Sequence, residues 1–352
     1  MFSFVLWEVT PEIFKIGDFA IRWYGLLFAL GFLIGQQLLI RIYKWEGRSE
    51  KEVETLTVYM VIATVIGARL GHVLFYQPEY YFQHPLEILQ IWKGGLASHG
   101  AAIGILVAIY LYTRKYTGQS YLYLLDRLVI TVAFAGCLIR LGNLMNSEII
   151  GKPTNFPTAF IFVHNAESGL KESYPALIRN IDIVKNGRDT TIGGFKYTGL
   201  NILMDLTPGD YSKERAVEDV VTTLRGNSYF LEDLLTPATL HWRVNGDKAI
   251  IPVLGIPRHP AQIYESVSCF FIFLLLFGIY KRKKENTPEG RLFGLFIVLV
   301  FTLRFLYEFL KAPQVNFERS MVLNMGQLLS IPLVIAGLYI LIQSYRKQKK
   351  IS

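Results

Sequence analysis

Charge is scarce in this 352-residue chain: Asp, Glu, Lys and Arg together make up 18% of it, and they bunch between long apolar runs. A soluble protein of this size spreads charge along every amphipathic element, so that class is set aside. Cysteine is scarcer still. Cys137 and Cys269 both fall inside apolar runs, where they behave as small hydrophobes, so neither a disulfide framework nor a zinc site is expected. No Asp-rich cation motif is visible. The opening MFSFVLWEVTPEIFKIGDFA lacks the basic segment, compact apolar run and small-residue cleavage site of a signal peptide, so residues 1–20 are expected to be an interfacial arm. What is abundant is apolar: 52% hydrophobic, 14% aromatic, with a mean hydropathy of +0.33. Disorder is excluded, and a polytopic membrane protein is expected.

Apolar runs long enough to cross about 30 Å of hydrocarbon occur near 21–40, 56–76, 96–112, 122–144, 261–280, 292–311 and 325–345. Basic clusters follow the first, third, fifth and seventh: Arg41, Lys44, Arg48, Lys51; Arg114, Lys115; Lys281 to Lys284; and Arg346, Lys347, Lys349, Lys350. The short connections on the other side offer only Lys15, Lys93 and Arg319. By the positive-inside rule the N-terminus lies outside and the C-terminus in the cytoplasm. The formal net charge of +8 is then topological, and nucleic acid drops out as a partner. The expected fold is an all-α polytopic membrane protein of seven transmembrane helices with a small mixed α/β extracytoplasmic head. Four segments follow: the arm 1–20, spans one to four over 21–151, the head 152–257, and spans five to seven with a basic cytoplasmic tail over 258–352. Within the head, Ala216, Val217, Val220, Val221 and Leu224 at helical spacing predict a helix ending before Gly226, which can take the left-handed capping conformation, and Asn245-Gly246 predicts a hairpin turn. The head is read as a scaffold or lid without catalytic residues of its own.

An ionisable group inside a span costs roughly 3 kcal/mol near the bilayer centre, so each needs a partner, a wet cavity or a function. The orientation places Tyr24, His99, Arg69, Arg140, Gln262, Tyr264, Glu265, Arg304 and Glu308 in one layer on the outer side. A cavity bordered by Tyr24, His99, Arg140, Asn143, Glu265 and Arg304 is expected there. In RLGNLMNSEIIG, Arg140, Asn143 and Asn146 recur every three residues and share a face if the helix persists, with Glu148 and Gly151 just beyond. A guanidinium with two amides suits a phosphate ester. Arg304 and Glu308, spaced i,i+4, can pair with each other or face a ligand together. Bland readings stand beside these. Arg69 is expected to snorkel or pair structurally, Gly67 with Gly71 and Gly100 with Gly104 to mark close helix contact, and Asp126 and Arg127 to stay hydrated at the inner end of span four.

Seven stretches resemble the bacterial prolipoprotein diacylglyceryl transferases: RWYGLLFALGF (22–32), GARLGHVLFY (67–76), GGLASHGAAIG (94–104), RLGNLMNSEIIGKPTNFP (140–157), RHPAQIYES (258–266), RFLYEFLK (304–311) and MGQLLSIP (325–332). They occur in family order along nearly the whole chain, and the head is the main part not covered. The resemblance implies transfer of a diacylglyceryl group from phosphatidylglycerol to the lipobox cysteine thiol of a prolipoprotein, forming a thioether and releasing glycerol phosphate. It implies no metal or other cofactor, and a place in the bacterial cytoplasmic membrane. Onto this sequence it carries His99, Arg140, Arg304 and Glu308 as catalytic residues, and Tyr24, Asn143, Asn146, Glu148, Gly151 and Glu265 as substrate-binding ones. Arg140 and Arg304 would clamp phosphate, and His99, Glu308 or Glu265 would take the thiol proton. The pattern departs at Val300, where many relatives carry a tyrosine. Two rivals remain: a secondary transporter, which should show a repeat and midplane clustering, and a receptor-like protein, which would not need two arginines inside spans.

Overall fold

The computed structural model describes residues 4–17, 19–91, 94–116, 118–209, 212–226, 233–237, 239, 241–313 and 316–351. Lys93 lies outside them, as do Asp210, Tyr211 and Asn227 on either side of the expected head helix and the side chain of Arg319. Short strands β1 (Val5–Trp7), β2 (Glu12–Ile16) and β3 (Phe19–Arg22) lead into α1 (Trp23–Trp45). Next come α2 (Glu50–Phe75), α3 (Pro78–Gln83), α4 (Ser98–Lys115) and α5 (Tyr121–Met145). A mixed segment follows: β4 (Phe160–Phe162), α6 (His164–Ser173), β5 (Ile178–Lys185), β6 (Thr190–Ile192), β7 (Phe195–Leu206), α7 (Lys213–Arg225), β8 (Leu234–Leu235), β9 (Arg243–Asn245) and β10 (Lys248–Gly255). The chain closes with α8 (Ala261–Lys283), α9 (Arg291–Tyr307) and α10 (Met325–Ile351).

Helices occupy all seven apolar runs. Of these, α1, α2, α5, α8 and α10 are long and apolar enough to cross a membrane, while α4 and α9 have 18 and 17 residues. Their surfaces leave Leu33, Ile62, Leu74, Phe271, Ile335 and Tyr339 more than half exposed. Water does not tolerate that much contiguous apolar surface, and acyl chains do. The fold is therefore that of a multi-pass membrane protein.

Two compact units are present: Met1–Phe28 with Ile139–Val267 and Leu303–Leu328, and Ala29–Leu138 with Ser268–Thr302 and Leu329–Ser352. The first holds an antiparallel sheet in the order β5-β7-β10-β8, with β6 added on β7 and β9 on β10. Inward residues alternate along the central strands (Leu200, Ile202, Met204; Ala249, Ile251, Val253), and α6 and α7 cover them with Ala166, Leu170, Val217, Val220, Val221 and Leu224. Phe4 and Ile161 complete this core, with β1 running parallel to β4. The expected helix is present as α7, N-capped by Ser212, but Gly226 sits at φ −73°, not in the left-handed region. Its amide is satisfied by the carbonyls of Thr222 and Thr223 without that turn. The hairpin also shifts by one residue: Asn245 pairs with Lys248, so Gly246, at φ +61°, and Asp247 form the loop.

In the second unit the glycine stripes of α2 and α4 bring the two backbones together. A Cβ on Gly67 would stand 2.5 Å from the Gly100 carbonyl oxygen, and one on Gly71 2.6 Å from the Gly100 Cα. Arg69 is structural, as expected, though by clamping rather than snorkelling. Buried, it donates to the backbone carbonyls of Glu87, Ile88 and Gly94 at 2.5, 2.8 and 2.7 Å, with a longer 3.2 Å contact to Gly95, and stacks on Tyr81. The hydrated reading of Asp126 and Arg127 is corrected, since both are 0% exposed. Asp126 accepts the Gly290 and Phe293 amides at 2.7 and 2.8 Å, satisfying orphan donors at the start of α9, and Arg127 pairs with Glu46 at 2.8 Å. Partners from other helices replace water at both side chains.

Candidate active site

The signature block begins on a helix and ends off it. Arg140 and Asn143 belong to the last turns of α5, which stops at Met145. Ser147 and Ile149 then take φ of +52° and +56°, a conformation costing about 1–3 kcal/mol per non-glycine residue. The three-residue spacing therefore does not carry Asn146 along a continuous helix face. Instead the turn brings Glu148 back, where its carboxylate accepts from Asn143 Nδ2 and from Asn146 Nδ2, each at 3.1 Å. The Glu148 carbonyl accepts from Gln262 Nε2 at 2.5 Å, tying the turn to the start of α8.

Gly151 is required by close approach: a Cβ there would lie 2.5 Å from the His259 Cβ. Its amide donates to the His259 carbonyl at 3.0 Å, and the backbone on either side is zipped to the segment after α9, with Lys152 N donating to Leu310 O at 2.7 Å and Ala312 N to Ile150 O at 3.1 Å. Gly142 has a matching role against Tyr24, whose Cδ2 would stand 2.8 Å from an added Cβ. Half-buried Tyr24 and Asn146 line a depression of about 440 Å³ together with Ala20, Ile21, Arg22, Gly25 and Leu26.

A chain of alternating charges runs through this unit. Arg140 Nε is 2.7 Å from Glu265 Oε2, and Arg140 makes a longer 3.4 Å contact to the Asn143 side-chain oxygen. Glu265 Oε1 is 2.6 Å from Lys311 Nζ, which also reaches Glu308 Oε1 at 3.0 Å. Asn324 donates to Glu308 Oε2 at 2.9 Å. Arg304 stands 3.8 Å from Glu308, too far for a hydrogen bond. Exposure grades along the chain. The side chains of Lys311, Glu265 and Glu308 are 3%, 7% and 9% exposed, against 24% for Arg140 and 41% for Arg304. Burying ions costs several kcal/mol each unless they are paired, so the buried middle is self-neutralising and its two guanidinium ends are the accessible charge. Glu308 itself lies just past the end of α9, which stops at Tyr307, so it closes the last turn instead of continuing a helical face.

Tyr24, Arg140, Asn143, Asn146, Glu148, Gly151, Glu265, Arg304 and Glu308 thus all fall in the first unit. His99 falls in the second, exposed in the first turn of α4, with its ring 5.1 Å from Phe75 and 5.7 Å from Tyr76. Sequence reasoning missed Lys311 and Asn324. The one signal for Lys311 was its place three residues after Glu308, and its second partner comes from another helix. Among the described residues no group of three His, Cys, Asp or Glu side chains is set to hold a metal ion.

A multi-pass membrane protein with two accessible guanidinium groups at the ends of a buried ionic chain is the class that this fold and site define. The profile of the prolipoprotein diacylglyceryl transferases matches residues 11–343. Similar proteins include the phosphatidylglycerol–prolipoprotein diacylglyceryl transferase of Tolumonas auensis, 35% identical over 98% of this chain and 100% of its own. Those of Chloroherpeton thalassium and Porphyromonas gingivalis are 34% and 33% identical, each over 98% of this chain and 96% of the relative. The chain belongs to the prolipoprotein diacylglyceryl transferase family.

Proposed function

We propose that this protein transfers the diacylglyceryl group of phosphatidylglycerol to the cysteine thiol of a prolipoprotein lipobox, the first step of bacterial lipoprotein maturation. A sulfur–carbon bond forms at the glyceryl carbon bearing the phosphate oxygen. That carbon–oxygen bond breaks, glycerol phosphate leaves with the electron pair, and the thiol proton passes to a base. A thiol of pKa about 8.5 must be deprotonated to attack, and the leaving phosphate needs its developing charge stabilised. The observation that carries the reading is that Glu308 is bonded at 3.0 Å by Lys311 and 2.9 Å by Asn324, while Arg304 stands at 3.8 Å and is 41% exposed. Glu308 does not depend on Arg304 for a counter-charge, which suits a guanidinium whose partner is a ligand phosphate.

Arg140 and Arg304 clamp that phosphate as planar donors. Tyr24, Asn143, Asn146 and Glu148 orient the lipid head group, Gly151 allows the backbone to come close, and His99, Glu265 or Glu308 takes the thiol proton. The arm 1–20, the membrane parts 21–151 and 258–352 and the head 152–257 divide the labour. Seven spans set the N-terminus and head outside the bacterial inner membrane and the C-terminus in the cytoplasm. The site then opens on the side where an exported precursor presents its cysteine.

The test is transfer of labelled diacylglyceryl from phosphatidylglycerol to a lipobox cysteine peptide by detergent-purified protein. Thioether product with stoichiometric glycerol phosphate is expected. No transfer, with labelled solute instead moving into proteoliposomes, would favour the transporter class.

A further inference from the structure

Lys311 is the most buried charge of the ionic chain, at 3% side-chain exposure, and the only cation in it that touches two carboxylates at hydrogen-bonding distance. Its position is set by backbone, because the bridge between Gly151 and Lys311, with Lys152 N donating to Leu310 O on one side and Ala312 N to Ile150 O on the other, locks the segment after α9 to the signature block. Pro313 follows two residues on and disfavours helical backbone at Ala312, so the chain leaves the helix where this bridge forms. A lysine ammonium is a compact charge with three donors, able to serve Glu265 Oε1 at 2.6 Å and Glu308 Oε1 at 3.0 Å together.

The charges of the chain from Arg140 to Arg304 are three cations around two carboxylates. Without Lys311, Glu265 and Glu308 would be two buried anions whose only remaining cationic partners in the chain are Arg140, already 2.7 Å from Glu265, and Arg304. Arg304 would then be drawn onto Glu308 as Arg140 already is onto Glu265, and a ligand phosphate would have to displace both carboxylates with no other cation left to neutralise them, which is costly.

We propose that Lys311 is a positioning residue that neutralises Glu265 and Glu308 from within, so that Arg304 stands clear of Glu308 and Arg140 can leave Glu265 for the phosphodiester of the lipid donor without stranding a buried anion. The inference rests on the transfer reaction proposed above and adds a cause for the availability of its arginines. Lys311 reaches the phosphate only through the two carboxylates, and with His99 as the base that takes the thiol proton its removal weakens donor binding before it slows chemistry.

The experiment measures KM for phosphatidylglycerol, as surface mole fraction in mixed micelles, and kcat for the wild type, Lys311→Met and Lys311→Arg, with thermal melts to establish folding. Wild-type transfer is the control: its absence sinks the functional reading itself and not the role of Lys311. With the wild type active, Lys311→Met is expected to raise KM at least tenfold with kcat changed by less than threefold, while Lys311→Arg keeps KM within threefold of wild type. Should Lys311→Met not fold, Lys311→Gln, which keeps a donor but no charge, is read in its place with the same expectation. An unchanged KM in the neutral variant overturns the proposal. So does a fall in kcat at constant KM, or a Lys311→Arg variant as impaired as the neutral one.

Discussion

At the scale of single residues, the informative contrast is between Arg304 and Lys311, two cations near the same carboxylate. Sequence spacing lets Arg304 pair with Glu308 or face a ligand beside it; the short contact to Glu308 belongs to Lys311 at 3.0 Å and the long one, 3.8 Å, to Arg304. Were Arg304 a structural partner, Arg304→Lys would keep its charge near Glu308 and stay active. As a bidentate phosphate donor it cannot be replaced by an ammonium, and the same holds for Arg140. Arg140→Lys and Arg304→Lys are each expected to lower turnover by roughly a hundredfold or more, by analogy with removal of an oxyanion donor. Transfer kinetics on folded, detergent-purified variants measure this. Near wild-type rates in both would end the phosphate-clamp assignment while leaving the family membership intact.

At the scale of elements, helix–helix contact and head packing each give a prediction. The α2–α4 contact has no room for a methyl group: at Gly100 a Cβ would overlap the Gly67 carbonyl oxygen and stand 2.6 Å from the Gly71 Cα. Neither is a side chain that could swing away. Gly100→Ala is expected to cost about 1–3 kcal/mol, the usual range for overpacking, and to lower the Tm of the protein in detergent. In the head, burial and the neighbouring Asp182 push the Glu167 carboxyl up to about 7 from its ordinary 4.5, partly offset by the Ile183 amide donating to it at 3.2 Å. Between those values the folded head holds a proton that the unfolded chain has released, so stability falls as pH rises from 4.5 to about 7 and the loss is complete above that. Glu167→Gln should therefore protect α6 and β5 at pH 8 and change little at pH 4.5. Hydrogen exchange of head peptides, corrected for intrinsic rates, reads the difference, and equal protection at both pH values would contradict the assignment.

At the scale of the whole molecule, the distribution of Lys and Arg predicts which side of the membrane each segment occupies. Gly193 lies at the tip of the β6–β7 hairpin, exposed, where Ile192 pairs with Phe195. Lys283 ends α8 in the basic cluster. A single cysteine at Gly193 is expected to react with a membrane-impermeant thiol reagent in intact cells, and one at Lys283 only after lysis. The reverse pattern would put the head in the cytoplasm, away from an exported precursor, and the proposed site with it.

Apolar runs by themselves determined where the helices lie, because a segment solvated by acyl chains must satisfy its backbone internally and so announces itself by length and composition. The close contact of Gly67, Gly71, Gly100 and Gly104 was legible for a related reason, since a stripe of small residues has one main use between helices. Family motifs added Arg140, Asn143, Glu148, Glu265, Arg304 and Glu308 as a set. Tertiary structure alone decided how they connect. Asn146 and Glu148 meet through a turn in the left-handed region, Asp126 and Arg127 are buried by partners from other helices, and Lys311 joins Glu265 to Glu308 across two segments distant in sequence. Local spacing carries the period of a helix, whereas the partner of a buried charge is set by which helix ends the fold brings together.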